Sequence, residues 1–283
     1  MDVEQVLDDQ NTDTDLQGIE VVVDGARREV EVGRYAKALT DTVWLLQQID
    51  RLAYKEIPRL RWTISETSSN GVFRARLVPR AIPHKRPAFS VHVPPRALVE
   101  GLVSLSTRAE IPDLFTEASV QRVDRLGDPS GGIRGVQLAP ISESGDVGEP
   151  VRVDEALRQH ARSAIAPQET SQGSVSGLLD VLNARRRGAL RGSIYNPRTR
   201  HAVTCLIPAD RVDEVAGAFG HRVLVGGPLT RNELGQVIRI QLVDLEVQPD
   251  DFRVPSVDEI LGIDPNWTGT LSTDEYLAQV RGA

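Results

Sequence analysis

Aromatic side chains make up only 4% of the 283 residues. Cores must therefore be aliphatic, and a platform of rings for stacking unpaired bases has few residues to draw on. A single cysteine, Cys205, excludes an intramolecular disulfide and any zinc site built from several thiolates. No apolar run approaches the ~18 residues of a membrane-spanning helix. The opening residues, "MDVEQVLDDQNTDTDLQG", are acidic and lack the basic and apolar regions of a signal peptide. The expectation is a cytoplasmic protein with no membrane partner and no cofactor. Lysine stands only at Lys37, Lys55 and Lys85, so nearly all positive charge is arginine.

What is present is unevenly spread. Residues 1–20 carry seven acids and no base, while residues 249–283 carry seven acids against Arg253 and Arg281. The net charge of −7 thus hides a body at +5 between two acidic ends. Acidic ends keep a chain soluble, and they can also compete with an anionic ligand for a basic body.

Residues 1–17 lack apolar periodicity and are expected to be disordered. "IEVVVDGARREVEVG" reads as a hairpin about Asp24-Gly25. Between Arg34 and Ala53, Tyr35, Leu39, Val43, Leu46, Ile49 and Leu52 recur at helical spacing, the clearest helix in the chain. "LRWTISETSSNGVFRARLVPR" alternates on both sides of Asn70-Gly71, a second hairpin. "FSVHV" reads as a short strand. "PPRALVEGLVSLSTRAEI" begins a helix near Pro95, where a missing N–H costs nothing. "GGIRGVQLAPI" and "EPVRV" read as strands, and "DEALRQHARSAI" as a helix capped by Asp154. Residues 18–165 are therefore an α+β domain, and the polar stretch 166–173 is expected to be a linker.

Residues 174–248 are more regular. Strands are expected at 174–183, 189–195 and 200–207, then a helix at 208–220, then strands at 221–229 and 236–247. Three strands, a helix and two strands in about 75 residues is the order of an OB-fold. The segment 174–247 resembles the OB-fold superfamily in this pattern, without a signature motif of any one family. The resemblance implies an all-β, five-stranded barrel with one helix, binding its ligand on strands two and three with the flanking loops as arms. Ten arginines against seven acids make the segment +3. Candidate ligands for an anion, single-stranded nucleic acid above all, are Arg185, Arg186, Arg187, Arg191, Tyr195, His201, Arg231 and Arg239. One outward tyrosine does not make a stacking platform, so a protein-binding or scaffolding barrel is the leading expectation.

Catalysis has little to stand on. His84, His92, His160, His201 and His221 show no metal-ligand spacing. A site near His92 is the one enzymatic reading kept. Cys205, between apolar neighbours, reads as a small buried hydrophobe. Gly131-Gly132 precedes a strand rather than a helix and reads as a turn, not a phosphate loop. The tail from 249 is acidic yet carries Trp267, Tyr276 and Leu277, apolar anchors for docking on another protein. "STDEYLAQVR" has a helix cap at Ser272 or Thr273. A folded body with such an extension is similar in layout to small bacterial antitoxins, an inhibitor of a partner being a further alternative.

Overall fold

In the computed structural model, which describes residues 16–25, 30–54, 60–68, 72–82, 91–186, 189–249, 271, 272, 275 and 279, the first apolar run lies at the centre of a sheet. This strand, β1 (Leu16–Gly25), places Ile19, Val21 and Val23 fully buried on one face. The hairpin expected about Asp24-Gly25 does not form. β1 is instead flanked by β3 (Phe73–Ala81) and β4 (Ile133–Ser142), both antiparallel. Val32, expected in the returning strand, starts helix α1 (Val32–Tyr54). A valine face this apolar needs neighbours on both edges and helices above it, which a lone hairpin cannot provide.

β2 (Leu60–Ser68) pairs with β3 as the Asn70-Gly71 pattern implies, from Leu60 opposite Ala81 to Ser68 opposite Arg74. β5 (Val151–Val153) closes the order β2-β3-β1-β4-β5. The "FSVHV" strand is a second difference. Val91 and His92 form a turn and Val93 opens α2 (Val93–Thr107), with Pro94 and Pro95 in its first turn; Phe89 and Ser90 lie outside the described residues. α3 (Glu117–Leu126) is capped by Thr116, whose Oγ1 accepts from the Ser119 N–H at 3.0 Å. α4 (Glu155–Ala164) is capped as expected, Leu157 N–H donating to Asp154 at 2.9 Å. The helices pack on one face of the sheet around Leu45, Leu98, Leu102, Phe115 and Val120.

The second sheet contains β6 (Glu169–Arg186), β7 (Ala189–Asn196), β8 (His201–Ile207), β9 (Arg222–Arg231), β10 (Val237–Gln241) and β11 (Asp244–Val247). Helix α5 (Val212–Gly217) lies between β8 and β9. β6–β7, β7–β8, β10–β9 and β6–β9 pair antiparallel and β8–β10 parallel, so five pairings run in a closed circuit. Inside it lie Leu179, Ile194, Val203, Cys205, Val223, Val225 and Ile240, capped by Val215 and Ala218 around α5.

Two expectations change here. Residues 169–173, expected within the linker, are strand, Glu169 to Gly173 pairing with Arg231 to Gly227. This part of β6 is mostly exposed, so its polarity reads like a linker. The long last strand, 236–247, is broken at Leu242 and Val243, and β11 continues along β9. Gly227 makes room for the break. Its φ is 152°, and a Cβ there would meet the Gln241 carbonyl oxygen at 2.0 Å.

The fold is thus mixed α/β, with two sheets of five and six strands and five α-helices among the described residues. Both sheets belong to one compact unit, Met1–Val247; Gln248–Ala283 is a second. Among the described residues no helix is long and apolar enough to cross a membrane.

Candidate functional site

The β7–β8 hairpin has two faces, fixed by the alternation of its residues. Ile194 and Val203 stand opposite each other and turn into the second core. Tyr195 and Ala202 are the next pair, on the other face. The Tyr195–Ala202 end of that face, expected to be open to a ligand, is covered by the first half of the chain, while Arg191 at its other end is exposed. Tyr195 is 4% exposed and Ala202 3%, and both belong to the apolar cluster of the helices above the first sheet. Burial pushes the Tyr195 phenol up to about 12.

Polar contacts hold the same joint. Arg239 Nε donates to Glu117 Oε1 at 3.0 Å, and its second nitrogen donates to the same oxygen. Glu117 is 3% exposed and its Oε1 also accepts from Gln121 at 3.0 Å, while Oε2 has no hydrogen-bond partner. Hydrogen bonding to that carboxylate raises the Arg239 pKa. Gln236 grips the backbone of Ile111 from both sides, accepting from its N–H at 2.8 Å and donating to its carbonyl at 3.2 Å. Asn232, buried, donates to the Ala164 carbonyl at 2.9 Å.

The candidate anion ligands therefore do not converge. Arg239 is taken up by Glu117, and Tyr195 is sealed. Arg231 donates to the Gly235 carbonyl at 2.8 Å, stiffening the β9–β10 turn. Arg191 is exposed and His201 half-buried. Arg185 and Arg186 end β6, while Arg187 lies outside the described residues, as do Trp267, Tyr276 and Leu277 and the acidic stretch 1–15. Ser272 caps as expected: its Oγ accepts from the Glu275 N–H at 3.3 Å and its own N–H donates to the Glu275 carboxylate at 2.9 Å.

Where the covered face ends, a recess of about 280 Å³ remains at the end of the strand circuit. Ser174, Asn196, Thr199, His201 and Gln236 rim it, over a floor of Ile111, Ile194 and Val203. It offers hydroxyls, amides and one imidazole to a ligand, and no carboxylate. A second, open recess of about 450 Å³ lies where Gln48 and Arg51 of α1 meet Asp180 and Phe219. Arg51 donates to Asp180 Oδ2 at 2.9 Å, while Oδ1 is buried without a hydrogen-bond partner. Burial raises the Asp180 pKa, with Arg51 opposing the rise.

His92 sits half-buried at the start of α2. Cys205 is 1% exposed, and burial pushes its thiol up to about 12, far from a reactive thiolate. Among the described residues no three His, Cys, Asp or Glu side chains are grouped to hold a metal ion. No protein-family model matches the chain, and no curated protein matches it.

Glu117, the residue that decides the joint, was legible in part. Thr116 is a capping type, Glu117 suits a first helical turn, and Val120, Val123 and Leu126 recur at three residues. The signal places a helix there; it does not say that Arg239 comes to meet it.

Proposed function

We propose that the chain is a non-catalytic binding or scaffolding protein of a multi-component assembly, in which β6 to β10 form an OB-like barrel used as a structural element. The circuit of five pairings, with one parallel pair and a helix between the third and fourth strands, supports the OB-like reading. One observation carries the functional reading: the Tyr195–Ala202 end of the face of strands two and three, where such a barrel takes its ligand, is occupied by the chain's own first half. A barrel partly spent on an internal joint leaves recognition to other surfaces, the 280 Å³ recess among them. A cytoplasmic location and function without a cofactor belong to the same proposal.

Electrophoretic shift with single-stranded and duplex DNA and RNA, from low to physiological salt, tests it. The expected result is no shift for the wild type. A shift at low salt that Arg191→Ala weakens would overturn the scaffold reading in favour of nucleic-acid binding, since phosphate contacts are the salt-sensitive ones. Co-purification of the full chain and of a chain ending at Gln248 then asks which partner depends on the tail.

A further inference from the structure

β2 is an edge strand: β3 pairs with one side of it, and among the described residues no strand pairs with the other. An edge nine residues long presents a row of backbone N–H and C=O groups, which proteins usually protect with lysine, proline, a bulge or brevity; here the Leu60 N–H is taken by Asp50 at 3.3 Å. β2, "LRWTISETS", has no lysine and no proline. Arg61, Ser65, Glu66 and Thr67 are exposed, and Ile64 is 54% exposed. Beside it the half-buried Trp62 keeps its Nε1 without a hydrogen-bond partner.

The charges along this edge carry the argument. Arg61 stands directly opposite Arg80 on β3, and like charges in that position repel. Among the described residues no carboxylate pairs with Arg61. Register shifts between Ile64 and Glu66, so Ser65 is an extra residue in the strand. Counting across that bulge, Arg61, Thr63 and Glu66 share the face away from the helices, opposite Arg80, Val78 and Arg76. Trp62 and Ile64 share the other face, Ile64 lying opposite the buried Leu77.

We propose that β2 is a self-association edge, on which a second copy of this chain pairs its own β2 antiparallel, joining two five-stranded sheets. With the two-fold axis at Thr63, each Arg61 meets Glu66 of the other copy and each Trp62 meets Ile64, while Thr63 meets Thr63. The bulge is what makes this register self-complementary. It brings Arg61 and Glu66 to equal distances from Thr63 and onto one face. Every cross-copy contact off the axis is made twice, and each Arg61 gains the carboxylate it lacks within its own sheet. Glu66, already 3.0 Å from Arg76, would then sit between two guanidinium groups.

Sedimentation velocity of the full chain, from micromolar to submillimolar concentration, is the test. The wild type should show a concentration-dependent dimer. Arg61→Glu or Glu66→Arg alone should weaken it about tenfold or more, because the symmetry counts each repulsion twice. Ile64→Lys should do the same. The Arg61→Glu/Glu66→Arg double variant should recover the dimer, which a general loss of structure would not allow; circular dichroism checks that each variant is folded. A wild type that stays monomeric throughout overturns the proposal. So does a dimer unmoved by Arg61→Glu and Ile64→Lys, or a folded double variant that remains monomeric.

Discussion

The two sheets solve the same problem in opposite ways. The first buries one face under four helices and leaves edge strands on both sides. The second runs its strand pairings into a circuit, encloses its apolar residues within it, and gives the Tyr195–Ala202 end of its outer β7–β8 face to the first. One sheet is open and the other closed, and the joint between them uses the open partner's helices against the closed partner's outer strands. An arginine-bearing strand face is therefore weak evidence for a ligand when a neighbouring helix carries a buried acid.

The difference can be broken or sharpened by experiment. The largest effect concerns how closed the second sheet is. Cys205 is 1% exposed and burial pushes its thiol up to about 12, so it should react with a disulfide reagent on the order of a hundredfold or more slower in the folded chain than in urea at mildly alkaline pH, scarce thiolate and poor access both contributing. Fast native labelling would mean that the circuit opens readily. Next, Arg239→Ala should cost about 3 kcal/mol in urea unfolding, because Glu117 is left buried without its cation. Glu117→Gln combined with it should return part of the loss. A cost nearer that of an exposed ion pair, under about 1 kcal/mol, would make the two sheets independent neighbours.

Gly227→Ala should cost about 2 kcal/mol, since the new Cβ meets the Gln241 carbonyl and the backbone sits where side chains strain. The same change at Gly145, where φ is 88° and nothing lies within 4 Å, gives the cost of a positive φ without a clash. The smallest effect is in pH dependence. Asp180 is raised on folding, so the folded state holds its proton more tightly than the unfolded chain. Its contribution to stability is greatest below the unfolded value and falls as pH rises through the raised one. Asp180→Asn should flatten the slope of melting temperature against pH in that acidic window.

Local order was legible where one residue type decides it. The stripe of α1, the Asn70-Gly71 hairpin, the Asp154 cap and the alternation of β7 each follow from spacing alone. Partners were not. The run "IEVVV" announces a strand but not which two strands will flank it, so spacing alone matches β1 to its sequence neighbour instead of β3 and β4. Exposed strand and linker share a composition, which hid the first residues of β6. For the candidate site, strand parity put Tyr195 on the outer face correctly, yet outer and solvent-exposed proved different, because the covering helices come from the first half of the chain.

The joint also sets an order of events. Arg239 follows Glu117 by 122 residues, and Gln236 follows Ile111 by 125. At about 5–20 residues per second, a chain emerging from the ribosome waits on the order of ten seconds between the acid and the cation that neutralises it. During that interval the first half can form its sheet and helices, but only with Glu117 still hydrated. Its last step of consolidation belongs to the end of synthesis. A chain cut between the two sheets should accordingly yield a looser first half, held back by one carboxylate with nowhere to go.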